Sequence, residues 1–458
     1  MYKKKIIFII AVVMLFSLVL SACEPERIVE TVTETVIETV VVEGETVEVV
    51  VEREVEVEIE VLKDKEVIIY NSYASDPAPR EADEELVQMF MDKYPQYNVI
   101  HSTIFHEDFK QAIRAYLTAS APPDVLTWFA GERARFFIDT DQIMDISDVW
   151  ESEGWLEDYP TGFKALSSVD GNQYFLPTSW YWWAVYYRVS VFEDLGIEPP
   201  TTWDEFIDVC ETLKENGLIP ITIGSKYRWT TGAWFDYLNM RINGPEFHID
   251  LMLGKESYED ERVMEVFEVW ADLLESGYFI DDAAAYTWSE ALEPFITGEA
   301  GMYLMGDFIR DSLPPDVVDD LDFFRFPIMD PSIPIGEDAP TDGYFIAANS
   351  QNPEAAKAFL AFLGSVEVQT YNAEKLGRLP THTGVDRSMF NEAQQKGLAL
   401  IDGADYVAQF YDRDTRPEVA DMGMNVFMAF WDRPGDMAGL NQMLAELDAF
   451  RIEIFSQE

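Results

Sequence analysis

Along residues 171–206 the hydrophobic pattern changes period three times, and this stretch organises the rest of the chain. A Gly171-Asn172 turn leads into a short apolar run that ends at Pro177. From 180 to 188 Trp180, Trp182, Ala184, Tyr186 and Arg188 alternate with Tyr181, Trp183, Val185 and Tyr187. That period of two predicts one extended strand. A helical turn over 191–195 and a break at Pro199-Pro200 follow. Thr202 with Glu205 then predicts a capping box. The helix it opens turns Phe206, Val209, Cys210 and Leu213 to one face and stops at Asn216-Gly217. Rings on both faces of one strand leave two readings, a sheet buried on both sides or rings that line a cleft.

Before this stretch, short apolar runs alternate with helical stripes. Val67–Tyr70, 99–105 and 124–128 read as strands. Helices over 81–94, burying Leu86, Met89 and Phe90, and around Phe109, Ile113 and Leu117 lie between them. After it, 218–223 reads as a strand, and helices follow through Trp234, Tyr237 and Leu238 and over 260–276. This alternation predicts parallel sheets covered by helices, with ligands met beyond the carboxyl ends of the strands. Asn71, Tyr73 and Trp128 stand at such ends. Asn352 with Pro353 predicts another helix start. Phe427, Phe430 and Trp431 fall in the last helices, as core or as cleft.

The amino terminus breaks the alternation. Lys3, Lys4 and Lys5 precede an apolar run to Leu20, and Ser21-Ala22-Cys23 follows. A basic start, this apolar length and small residues describe a secretory signal peptide over 1–22; a membrane-spanning anchor is the alternative. From 24 to 65 the composition falls to Val, Glu, Thr and Ile, with Glu-Thr-Val repeating at 30, 34 and 38. Dense glutamate and β-branched residues disfavour a lone helix and favour an extended spacer of roughly 35–40 Å. A coiled coil or a strand pairing with another chain is the alternative.

Length and charge narrow the picture. A chain of 458 residues exceeds one ordinary core, so two lobes are expected. A formal charge of −53 excludes nucleic acid as a partner by default. Of the two cysteines, modification of Cys23 leaves Cys210 alone on an apolar helix face, where it reads as a small buried hydrophobe. His101, His106, His248 and His382 show no metal-ligand spacing, and neither a metal nor a cofactor is expected.

Several segments together resemble a known family. The aromatic strand ending in Tyr186-Tyr187-Arg188, followed by Phe192 and Gly196-Ile197 and by Thr202-Trp203-Asp204-Glu205-Phe206, resembles the carbohydrate-binding branch of the extracellular solute-binding proteins. Residues 297–308 resemble the family's G-x-A-x-M-x-x-x-G-x-W segment, with Phe308 where tryptophan is common. The run G-x-x-I-A-x-x-S-x-N-P-E-A-A from Gly343 resembles the family's return to its first lobe, and Asp342 stands where a glycine is common. Gly377-Arg378-Leu379-Pro380 resembles a third crossing. Leu20-Ser21-Ala22-Cys23 looks like a lipobox, in which Cys23 would carry lipid.

The resemblance implies a two-lobed α/β periplasmic-binding-protein fold of type II. Each lobe would be a mainly parallel sheet flanked by helices, with three hinge crossings near 176, 344 and 380. Residues 66–176 with 345–380 would form the first lobe, and 177–344 with 381–458 the second. It implies a lipid-anchored monomer outside the cytoplasm that closes over a carbohydrate and passes it to ABC transporter permease subunits. Sugar rings suit aromatic clefts because their C–H faces pack on rings while their hydroxyls seek polar partners. Trp180, Trp182, Trp229, Asp307 and Phe308 become expected ligand contacts, with Asn71, Tyr73, Trp128 and Arg378. Asp342 would either accept sugar hydroxyls or cap its turn.

Two other functions compete. A glycoside hydrolase needs two carboxylates at a set separation, which 85 acidic residues always allow somewhere. No nucleophile elbow, phosphate loop or paired-cysteine metal motif accompanies them. A surface adhesion protein would explain the linker but not two α/β halves.

Overall fold

The computed structural model describes residues 26–42, 45–61 and 65–456, with side chains from Lys65 onward. The signal-peptide and lipobox residues, Cys23 among them, lie outside the described residues. Glu26–Val42 and Glu45–Val61 pair antiparallel, from Glu26 opposite Val61 to Val42 opposite Glu45. The expected extended spacer is therefore a ribbon paired within the chain, as alternating β-branched residues favour.

The remainder is α/β, built on two mixed sheets. The six-stranded sheet runs, edge to edge, Leu379–Pro380, Leu176–Trp180, Thr341–Ile346, Val125–Phe129, Glu66–Ser72 and Tyr97–Thr103. The four-stranded sheet runs Ile219–Ile221, Ala300–Gly306, Trp183–Arg188 and Leu321–Phe324. Parallel pairing is found between Val125–Phe129 and Glu66–Ser72, and between Ile219–Ile221 and Ala300–Gly306. The strands that enter a sheet from the other half, Trp183–Arg188 and Thr341–Ile346, pair antiparallel with their neighbours. They arrive without a βαβ crossover, so nothing constrains them to the parallel direction expected from the sequence.

The aromatic stretch is not one strand. Leu176–Trp180 belongs to the first sheet and Trp183–Arg188 to the second, with Tyr181 and Trp182 as the passage between them. Pro177–Trp180 thus lies with the first sheet, beyond the expected crossing near 176. Likewise Thr341–Ile346 belongs wholly to the first sheet, so the chain returns at Ala339-Pro340 rather than near 344. A register shift between Asp342 and Gly343 puts a bulge in that strand. A Cβ on Gly343 would lie 1.9 Å from the Leu176 carbonyl oxygen, so only glycine fits.

Packing follows the sequence pattern closely in the second half. The Thr202 hydroxyl accepts from the Glu205 amide and Glu205 accepts from the Thr202 amide, completing the capping box. Phe206, Val209, Cys210 and Leu213 are all buried beneath that helix. Burial also pushes the Cys210 thiol well up, which keeps it unreactive. The helix Trp229–Ile242 is buried on all sides from Trp229 to Arg241 and forms the axis of this half. Phe427 stacks on Phe235 at 4.7 Å and Phe430 is buried, so both are core; Trp431 packs edge-on against Phe279. Asn352 precedes Pro353 as expected, but its side chain makes no capping hydrogen bond.

Candidate functional site

The passage between the sheets builds the site. Tyr181 and Trp183, either side of the break, both face a cleft bounded by elements of the two sheets. Trp183 stacks on Phe410 at 4.8 Å and 26°, and Trp229 meets it edge-on at 6.1 Å. Tyr181 lies edge-on to Phe308 at 5.5 Å, and Trp288 packs on the same ring. From the first sheet Tyr73 stacks on Phe129 at 5.0 Å. Offset and edge-on pairs are the favoured aromatic geometries, so these rings hold one another in place. The cavity they line has a volume of about 220 Å³.

Charged pairs are set among the rings. The Arg413 guanidinium donates to Asp342 Oδ1 at 2.7 Å and to the Tyr181 hydroxyl at 2.9 Å, and lies 4.4 Å from the centre of Phe129. Arg133 donates to Asp412 Oδ2 at 2.5 Å. Arg378 donates to Asp307 Oδ1 at 3.2 Å and to Asp311. Burial pushes the Asp307 carboxyl up to about 7 although Arg378 pulls it down. Asp311 and Asp76 are raised by burial as well.

A third group sits on the helix His106–Thr118. Glu107 accepts from the Trp229 indole at 3.0 Å, pairs with Lys110 at 3.0 Å and contacts His106 Nδ1 at 3.3 Å. Burial pushes the Glu107 carboxyl up, but its bond with His106 and the Lys110 charge outweigh that and hold it at about 2. Burial lowers His106, so the ring is neutral at physiological pH. Every cation of the lining thus has a fixed carboxylate partner. Such pairs present oriented donors and acceptors without a net demand for a charged ligand.

Of the expected contacts, Tyr73, Trp229, Phe308, Asp342 and Arg378 line the cleft. Asp307 lies behind them, 1% exposed, and touches the site through Arg378. Four expectations need correction. Trp182 is 1% exposed and packs on Phe323, while its neighbours Tyr181 and Trp183 line the cleft. Trp180 packs on Phe163 and donates to the Pro380 carbonyl. Trp128 is core beneath the first sheet and donates to the Arg133 carbonyl. Asn71 is buried within its strand, one residue short of the turn that carries Tyr73. His106, which carries no metal-ligand spacing, lines the cleft.

Residues 74–370 match the family profile of the bacterial extracellular solute-binding proteins. The chain belongs to this family. An ABC transporter extracellular-binding protein of Pyrococcus horikoshii, itself uncharacterized, is 27% identical over 398 residues, covering 84% of this chain and 83% of the relative. A probable sugar-binding periplasmic protein of Mesorhizobium japonicum is 24% identical, covering 56% of this chain and 61% of the relative. Among solved structures, the bacterial solute receptor AcbH, with an exclusive preference for β-D-galactopyranose, is 31% identical with a TM-score of 0.81. That match covers 85% of this chain and all (100%) of AcbH.

Membership makes this solute-binding protein a receptor that works outside the cytoplasm, and not an enzyme. Its fold is the two-lobed one of its structural neighbours. Several cleft residues of the solute-binding protein carried no sequence signal as contacts. Tyr181 and Trp183 share the face that alternation sets opposite Trp180 and Trp182, and that face meets the cleft. Glu107 and Lys110 lie on the helix His106–Thr118 outside its apolar stripe. Phe410 and Arg413 come from a segment without a motif.

Proposed function

We propose that the protein captures a carbohydrate between its lobes and delivers it to the permease of an ABC importer. The observation that carries this reading is the floor of the cleft. Rings of Tyr181, Trp183, Trp229 and Phe308 lie beside the Arg413–Asp342 and Arg378–Asp311 pairs. A pyranose needs that combination, apolar faces for its C–H surfaces and paired charges for its hydroxyls. The relatives named as sugar-binding and the galactopyranose preference of AcbH support the same ligand class. Tyr73, Trp229, Phe308, Asp342 and Arg378 are assigned as contacts, joined by Tyr181, Trp183 and Arg413.

Capture proceeds by hinge closure, with the lobes divided at the three passages and the closed form presented to the permease. The basic-apolar leader and the Leu20-Ser21-Ala22-Cys23 sequence support export and lipid attachment at Cys23, with the protein acting as a monomer. Thermal unfolding against a panel of mono- and oligosaccharides tests the ligand class. A sugar at about 100 times its dissociation constant adds about 2.7 kcal/mol of stability. Absence of any shift across the panel, with a shift from an amino acid or peptide, would replace the ligand.

A further inference from the structure

A second cavity of about 690 Å³ adjoins the cleft of about 220 Å³. The two share Glu107, Lys110, Tyr227, Trp229 and Asp412 in their linings. These residues therefore form a wall with a cavity on each side. At its centre the Trp229 indole N–H donates to Glu107 Oε1 at 3.0 Å, and both residues are under 9% exposed. Lys110 braces it from the same helix, 3.0 Å from Glu107 Oε2 and 5.9 Å from the Trp229 ring centre.

Both halves of the wall are held firmly. Glu107 remains charged across the physiological range, because its carboxyl is held at about 2. Trp229 follows Arg228, a non-glycine residue at φ 67° and ψ −36°. Strain of that kind persists only where other contacts fix the conformation. Here Arg228 donates to Asp421 and Asn425, each at 2.6 Å. The chain thus accepts a strained backbone to set the indole where its N–H can donate to Glu107.

Beyond the wall the second cavity is chemically suited to more ligand. Phe136 continues the aromatic surface there, with Arg114 4.5 Å from its ring centre. Lys226 is a further hydrogen-bond donor in the lining. A ligand filling the first cavity meets the Glu107–Trp229 bond before it reaches any of these groups. We infer that this bond is a partition that sets ligand length, confining the site to a short sugar and excluding the second cavity. The inference rests on the carbohydrate reading above and adds to it a residue pair that decides chain length.

Titration calorimetry with a homologous series, from monosaccharide to pentasaccharide, tests it on the wild type, Glu107→Ala, Glu107→Gln and Trp229→Phe. Glutamine keeps an acceptor for the indole, whereas phenylalanine keeps a ring but removes the N–H. The wild type should favour the short members by about tenfold or more. Glu107→Ala and Trp229→Phe should each improve the affinity for the long members, relative to the short, by about tenfold. Glu107→Gln should keep the wild-type ratio, which a merely structural role for Glu107 does not require. If Glu107→Ala folds poorly, the Trp229→Phe ratio decides. An unchanged ratio in both disrupting variants, or equal wild-type affinity for long and short members, overturns the partition while leaving sugar capture intact. Failure of every sugar to bind the wild type overturns the carbohydrate reading and the partition together.

Discussion

Replacing Trp182 with alanine separates core from cleft in the aromatic stretch. The side chain is 1% exposed, lies 5.5 Å from the Phe323 ring centre and packs where a Cβ on Gly397 would come within 2.2 Å of it. An indole of this burial withholds roughly 200 Å² from water. At about 25 cal/mol/Å² that is about 5 kcal/mol, an upper figure because unfolded chains already bury some surface. Among the described residues the indole N–H has no hydrogen-bond partner, so no such bond is counted in the loss. Measured truncations of large core aromatics cost about 3–5 kcal/mol, and about 4 kcal/mol is expected here. Urea unfolding followed by circular dichroism reads this as a lower midpoint at constant slope. Sugar titration of the folded variant should give nearly wild-type affinity, since Trp182 does not line the cleft. A stability loss under about 1 kcal/mol, far below the usual cost of emptying a core site, together with abolished sugar binding would refute the placement.

Three further predictions follow from other parts of the molecule. Gly343→Ala forces a Cβ against the Leu176 carbonyl oxygen, 1.9 Å away, and should destabilise by about 2 kcal/mol or more in the same urea assay. The Glu107 carboxyl is held at about 2, below its ordinary 4.5, so its stabilisation is complete above pH 4.5 and is lost as pH falls toward 2. The stability difference between wild type and Glu107→Gln should therefore be on the order of 3 kcal/mol near neutrality and shrink steadily through that acid window, as urea unfolding at several pH values would show. Cys23→Ala should abolish lipid attachment, and mass spectrometry of the mature amino terminus checks it; an unmodified Cys23 in membrane-associated wild type would contradict the lipobox reading.

Much of the second half was legible because local rules and tertiary packing agree there. The Thr202–Glu205 box and the stripe Phe206, Val209, Cys210 and Leu213 stand as the pattern predicts. The strand phase failed where the two levels part. Trp180 and Trp183 belong to different sheets, and alternation cannot register a strand that leaves one sheet and joins another within two residues. The crossing positions shifted for the same reason, since Pro177 pairs with Gly343 and Leu176 with Tyr344 inside the first sheet. Phe410 and Arg413 reach the cleft from a short helical turn near the carboxyl end. Residues so distant in sequence are brought together only by packing, which no local motif encodes.

A carbohydrate is captured, on this proposal, at the aromatic and paired-charge floor of the cleft. The most direct test is calorimetric titration of the wild type, Trp183→Ala and Asp342→Ala with the sugar that most raises the unfolding temperature. Saturable binding with one site per chain is expected in the wild type, and a loss of affinity of about tenfold or more in each variant. Unaltered sugar affinity in both variants, with the fold intact by circular dichroism, would contradict it.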